Sequence, residues 1–98
     1  MRVNEIRKTE AFAAWLDDLD DTRARARVLV RIERLASGNP GDVKSVGAGV
    51  SELRIDYGPG YRVYYTKLGR QIVILLGGGT KRTQDTDIKA AIKLAEGL

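Results

Sequence analysis

The sequence predicts an α+β fold: an N-terminal strand and a helical hairpin, then a mainly antiparallel sheet and a C-terminal helix, with the helices packed on one face of the sheet. Three observations lead there. Apolar residues recur with a period near 3.6 in the first third of the chain, the period changes to 2 in the second half, and it returns to 3.6 close to the C-terminus. With 98 residues, 43% of them apolar, the chain has material for one hydrophobic core, so residues 1–98 are expected to form one domain.

Residues 1–7 are short enough to make an edge strand. Thr9 is an N-cap residue type, and Phe12, Trp15, Leu16 and Leu19 then fall on one helical face, with a stop near Asp20-Asp21. Thr22 to Ala36 forms a second helix, in which Ala24, Val28, Ile32 and Leu35 share a face and Gly38-Asn39-Pro40-Gly41 ends the run. The short link between them makes an antiparallel hairpin. Val43–Val46 is a candidate short strand. In Ser51–Asp56, Leu53 and Ile55 alternate with Glu52, Arg54 and Asp56, and Gly58-Pro59-Gly60 breaks the strand. Tyr61–Lys67 alternates in turn, with Tyr61, Val63 and Tyr65 opposite Arg62, Tyr64 and Thr66. After a turn at Leu68-Gly69, Gln71–Leu76 is apolar on both faces, as a central strand requires, and Gly77-Gly78-Gly79 is expected to bend the chain away. Asp85–Ala95 brings Ile88, Ala91, Ile92 and Ala95 onto one face of a last helix, which stops before Gly97. The order is β-α-α-β-β-β-α, with hairpin-length turns between the last strands.

Composition narrows the chemistry. The chain has neither Cys nor His, which removes disulfides, thiolate metal sites and the commonest general base, and leaves Arg, Lys, Tyr, Asp and Glu to act without a metal or cofactor. The longest apolar run, Ile72–Leu76, is far too short to cross a bilayer, and the first residues carry no apolar leader, so the cytoplasm is the expected compartment. Seventeen Lys and Arg against thirteen Asp and Glu give a net charge of +4, which favours a polyanionic or acidic partner.

Three basic groups stand out. If the helices cover Leu53, Ile55, Val63 and Tyr65, the opposite face displays Glu52, Arg54, Asp56, Arg62, Tyr64 and Thr66. Arg54 and Arg62 then repel each other unless an anion bridges them, either a bound phosphate or the neighbouring Glu52 and Asp56. Lys81 and Arg82, flanked by Thr80 and Thr83, precede the last helix, where free N–H groups favour an anion; a solvated loop pair is the plainer interpretation. Arg23, Arg27, Arg31 and Arg34 run along the second helix, either as a solvated face or as a contact for phosphates or an acidic protein segment. Tyr57 and Tyr64 are candidates for stacking on a base, while Tyr61 and Tyr65 fill core. The Gly77-Gly78-Gly79-Thr80-Lys81 run lacks the Gly-Lys-Ser/Thr order of a phosphate-binding P-loop.

The stretch Glu52-Leu53-Arg54-Ile55-Asp56-Tyr57-Gly58-Pro59-Gly60-Tyr61-Arg62-Val63-Tyr64-Tyr65, with Gly77-Gly78-Gly79-Thr80-Lys81 and Gln84-Asp85-Thr86-Asp87-Ile88, resembles the RelE/ParE superfamily of toxins, in particular its HigB-like addiction-module killer branch. The resemblance spans nearly the whole chain and implies two N-terminal helices on a curved antiparallel sheet. It implies a toxin of a type II toxin–antitoxin system, a ribosome-dependent mRNA endoribonuclease that inhibits translation and arrests growth. A cognate antitoxin, usually a helix-turn-helix protein, is implied with it. Matched position by position, Arg54 stands where these toxins carry a catalytic Lys, Arg62 at the Arg of their Gly-Tyr-Arg motif, and Arg82 at a second active-site Arg. These three form the implied catalytic set, with Lys81, Arg23, Arg27, Arg31, Arg34 and Tyr64 contacting RNA. The sequence departs from the pattern at Ile88, where a catalytic Tyr is usual, and at Glu52, where another Lys is usual. Asp56, Asp85, Asp87 or the ribosome itself would then have to accept the 2′-hydroxyl proton. The same superfamily includes inhibitors that bind DNA gyrase without chemistry of their own, which is the alternative, together with a non-toxic remnant that regulates its operon.

Overall fold

Strand alternation decides which side chains meet which helix. The structure, a computed structural model, describes residues 3–98 in the order β1 (Glu5–Lys8), α1 (Glu10–Asp17), α2 (Thr22–Ala36), β2 (Val43–Gly47), β3 (Val50–Ile55), β4 (Tyr61–Leu68), β5 (Ile72–Thr80) and α3 (Gln84–Glu96), with a 3-10 turn at Lys81–Thr83 before α3. Met1 and Arg2, part of the expected first strand, lie outside the described residues. The strands form one sheet in the order β1-β5-β4-β3-β2, antiparallel except for β1, which lies parallel to β5.

Both N-terminal helices are capped as their sequences require. The Thr9 hydroxyl accepts from the Phe12 N–H at 3.1 Å and also lies 2.9 Å from the Leu76 carbonyl, tying the cap to β5. Asp21 accepts from the N–H groups of Arg23 and Ala24, each an otherwise orphaned donor of α2. Phe12 and Leu16 of α1 and Ala24, Val28, Ile32 and Leu35 of α2 are buried against Leu53, Ile55, Tyr61, Val63, Tyr65, Val73 and Leu75. Each aliphatic or aromatic residue so buried contributes roughly 1.5–3 kcal/mol before chain entropy is charged against it.

The helices do not all share one face, as the sequence suggested. Instead α3 crosses the opposite face, where Ala91, with Ile88, Ile92 and Ala95, covers Val50, Tyr64, Ile74 and Leu76 in a second core. The face expected to be solvated is therefore largely closed, and Glu52, Tyr64 and Thr66 on it are buried. The cause is the double-sided apolar pattern of β5: Ile74 and Leu76 alternate with Val73 and Leu75, so each face needs a cover.

The glycine run does not bend away either. Strand β5 continues through Gly77-Gly78-Gly79 to Thr80, and glycine is required at 78 and 79, where a side chain of α1 and one of α3 approach the backbone. A Cβ on Gly78 would overlap the Trp15 ring of α1, with Cε2 only 2.6 Å away, and a Cβ on Gly79 would overlap the Asp87 carboxylate of α3, with Cγ at 2.7 Å.

Candidate functional site

Pairing of β3 with β4 sets Arg54 directly opposite Arg62 and Glu52 opposite Tyr64. Like charges directly opposite on one sheet face are destabilising unless something lies between them. Here it is Glu52. Its side chain is fully buried and accepts from Arg54 Nε at 3.0 Å, Tyr64 Oη at 3.2 Å and Gln84 Nε2 at 2.7 Å, while Arg62 Nε approaches Glu52 Oε1 to 3.7 Å. Of the two carboxylates that the sequence offered as neutralisers, Glu52 takes the role and Asp56 stays exposed. The register of two strands, β3 and β4, and the first residue of α3 thus converge on one buried anion.

The electrostatics follow from this packing. Burial by itself raises the Glu52 carboxyl, but hydrogen bonds from Arg54 and Gln84, the charge of Arg62 and the Tyr64 hydroxyl together bring it below the usual carboxylate range. Burial is also the largest effect on Tyr64, followed by the charge of Glu52 and the hydrogen bond to it, and all three raise its phenol well above the ordinary value. Tyr64 is therefore a protonated donor turned inward. Contrary to the sequence expectation of a ring open to a base, Tyr64 is fully buried beneath α3.

Lys81 and Arg82 sit exposed in the turn between β5 and α3. The Lys81 N–H donates to the Gly60 carbonyl at 2.8 Å, which closes the end of β5 against the β3–β4 loop. Gly60 has φ +81°, and the position of its absent Cβ lies 3.4 Å from Lys81 Cβ and 3.7 Å from Arg62 Nη1. Arg62 and Lys81 therefore flank the same glycine. The structure brings Arg54, Arg62 and Lys81 to one end of the sheet, with Arg82 next in the chain, and leaves Arg54 about one-third exposed and Arg62 only 11% exposed. The start of α3 is not a free anion site: Asp85 and Asp87 occupy its first turn, and Asp87 accepts from the Thr83 hydroxyl at 2.5 Å. Ile88 is a partly buried member of the core beneath α3.

The arginines of α2 lie on the other side of the sheet. Arg23, Arg27, Arg31 and Arg34 line a groove of about 550 Å³ with Ala26, Val30, Ile55 and Asp56. Arg31 is not available there for RNA. Its guanidinium donates to the carbonyls of Arg54, of Pro40 at 2.9 Å and of Asp42 at 3.1 Å, so it fastens α2 to the chain entering β2. Burial, then the neighbouring charge of Arg34, lowers its pKa, with Asp42 acting in the opposite sense. Arg27 lies 4.5 Å over the ring of Tyr57, which stacks in turn on Tyr61 at 6.5 Å between centroids, so a base would have to displace Arg27 to reach the face it covers. Arg23, Arg27 and Arg34 remain exposed.

Glu52 and Gln84 were not singled out as site residues from sequence, where Glu52 registered as a possible neutraliser of Arg54 and Arg62 and as a departure from a familial Lys. Strand alternation already put Glu52 beside Arg54; what was missing was the cover provided by α3, which makes it buried. Among the described residues, no helix is long and apolar enough to cross a membrane.

Comparison with known proteins agrees with this architecture. The family model described as Phage derived protein Gp49-like (DUF891) matches residues 14–98. An uncharacterised protein of Haemophilus influenzae (strain Rd) is 52% identical over 94 residues, which are 96% of this chain and 95% of that one. Among solved structures, a double arginine-to-alanine variant of the E. coli toxin RelE in the free state superposes with a TM-score of 0.72, covering 95% of this chain and 97% of that one at 18% identity. At that identity the likeness is one of fold, and it agrees with the RelE/ParE resemblance carried by the Gly-Tyr-Arg strand and the Gln-Asp-x-Asp-Ile helix start. The chain belongs to the Gp49-like family of phage-derived proteins and is built on the fold of the RelE toxin.

Proposed function

We propose that this protein is the toxin of a type II toxin–antitoxin pair and that it halts translation by cleaving mRNA on the ribosome in the cytoplasm. The observation that carries this is the cation cluster of Arg54, Arg62 and Lys81 at one end of a RelE-type sheet, with Arg82 in the adjoining turn. In a cyclising cleavage the 2′-hydroxyl attacks the adjacent phosphorus, its proton leaves to a base, and the 5′-oxygen departs with a proton. Guanidinium groups beside the phosphate stabilise the charge that gathers on its non-bridging oxygens, and Lys81 and Arg82 hold flanking phosphates. Arg23, Arg27 and Arg34 on the opposite side contact ribosomal RNA or an acidic antitoxin segment, the latter favoured by Leu29 and Val30, which are exposed on the same helix. The antitoxin is a helix-turn-helix protein that binds the toxin and represses their operon.

A second mode of action, binding of DNA gyrase without chemistry, is favoured by the scarcity of proton acceptors. Glu52 and Tyr64 are buried and engaged with each other, and Asp87 is held by Thr83, which leaves the exposed Asp56 and Asp85, or the ribosome, to act as base. Induction without the partner, followed by transcript end mapping and by assay of gyrase–DNA breaks, separates the cases. In-frame cleavage of translated messages supports the ribonuclease, accumulated breaks support the gyrase inhibitor, and normal growth at high expression leaves only a non-toxic regulator of the operon.

A further inference from the structure

Two guanidinium groups directly opposite each other would normally splay apart or collapse onto whatever carboxylate was nearest. In this fold the carboxylate between them is the buried Glu52, and both guanidiniums turn Nε to the same oxygen, Oε1: Arg54 in a hydrogen bond at 3.0 Å, and Arg62 in an ion pair at 3.7 Å that leaves its Nε without a hydrogen-bond partner. Its other oxygen is taken by Tyr64 and Gln84. An arginine that meets a carboxylate through Nε keeps its Nη groups for other acceptors. Arg62 Nη1 points back towards the Tyr61 carbonyl at 3.4 Å and towards Gly60, the glycine that Lys81 flanks.

We infer that Glu52 is a positioning residue: its buried carboxylate fixes Arg54 through a hydrogen bond to Nε and draws Arg62 towards the same oxygen by charge, so that the Nη groups of the two arginines form a receptor set in advance for a single phosphate group. The inference rests on the proposal that this cluster receives RNA phosphate. Glu52 does not touch the phosphate, since it is fully buried and already surrounded by donors. Its charge also leaves the three-residue unit at +1 instead of +2, which removes most of the repulsion that would otherwise drive the two side chains apart before an anion arrives. The link through Gln84 makes the start of α3 part of the same assembly, so the helix that covers Tyr64 also helps to aim the arginines.

The charge bookkeeping supplies a test whose two outcomes have opposite sign. If Glu52 only neutralises, Glu52→Gln raises the local charge and tightens anion binding; if it positions, the same isosteric change lets the guanidiniums drift and weakens binding. Inorganic phosphate is titrated into the full chain, and backbone and Arg side-chain ¹⁵N–¹H signals of Arg54, Gly60, Arg62 and Lys81 are followed, with Arg54→Lys and Arg62→Lys used for assignment. The expected result is at least a tenfold loss of phosphate affinity in Glu52→Gln, with melting measured alongside to verify that the variant is folded. Equal or tighter binding overturns the inference, as does a wild-type protein that binds no phosphate at these residues. Should Glu52→Gln fail to fold, the wild-type titration decides: phosphate should shift the Nη groups and leave Nε–H of both arginines protected from exchange. Nε signals that move as far as Nη show that phosphate displaces Glu52, which rules out positioning. Growth arrest is scored separately, so phosphate binding without toxicity supports the receptor while removing the toxin proposal.

Discussion

Arg62→Ala and Arg82→Ala should both abolish growth arrest, yet only one should disturb the fold. From sequence both side chains were expected on the solvated side, but Arg62 is 11% exposed and shares Glu52 with Arg54, whereas Arg82 is exposed in the turn before α3. Removing Arg62 takes one of two counter-ions from a buried carboxylate. Outright loss of a buried partner costs about 3–5 kcal/mol. Here Arg54, Tyr64 and Gln84 still serve Glu52, and the lost contact, at 3.7 Å, is an ion pair without a hydrogen bond. The expected cost is therefore lower, about 1–2 kcal/mol, below the penalty for leaving a buried charge without any partner. For a chain of this length that is a fall in Tm of roughly 4–15 °C. Arg82→Ala should stay within about 0.5 kcal/mol of the parent. Loss of either cation from a partly desolvated site should cost about 100-fold or more in transcript cleavage. Arg62→Lys keeps the charge and loses the planar fork, so it should lose nearly as much activity as Arg62→Ala. The assay pairs thermal melting with induced growth arrest and transcript end mapping. An unchanged Tm for Arg62→Ala means that the Glu52–Arg62 pair does not form in solution, and full toxicity of both alanine variants means that the acting surface lies elsewhere.

Acid should destabilise the protein partly through Glu52. Its carboxyl titrates lower folded than unfolded, so its contribution is present above the unfolded value and is lost as pH falls from there through the depressed folded value; the slope of unfolding free energy against pH in that window should flatten in Glu52→Gln. Tyr64 has the opposite sense of linkage: with its phenol raised, its contribution holds below the unfolded value near pH 10 and should fade as pH rises beyond it, and Tyr64→Phe should remove that part of the alkaline slope. Gly78→Ala should cost about 1–3 kcal/mol by overpacking against Trp15, and the penalty should largely vanish in a Trp15→Ala background; an equal penalty in both backgrounds means that the ring is not the obstacle. Arg31→Met should lower Tm because three carbonyl contacts are lost, while Arg23→Ala should leave Tm unchanged and weaken binding to an acidic antitoxin in a salt-dependent way; a salt-independent affinity would exclude the α2 groove as the contact.

Much of this protein is local information. Helix α2 runs from Thr22 to Ala36 as its 3.6-residue period and flanking Asp21 and Gly38 require, Thr9 caps α1, and the alternation in β3 and β4 by itself puts Arg54 and Arg62 on one face. Each depends on residues within a few positions of one another, where backbone geometry alone relates sequence to structure. Three features depended on which surfaces meet across the chain. Period alone places Ile88 and Ala91 on an apolar stripe but does not say which sheet face the stripe covers, and the answer, the face of Glu52 and Tyr64, buried both residues. Glycine at 78 and 79 is equally at home in a bend or in a strand, and only the approach of Trp15 and Asp87 in the folded chain shows why no side chain fits there. An arginine stripe likewise does not distinguish a free cation from one that is engaged, and Arg31 left the set because three carbonyls from distant residues converge on it. Periodicity fixes the direction of a side chain relative to its own backbone; burial and partnership are properties of pairs of surfaces, and those exist only once the chain has folded.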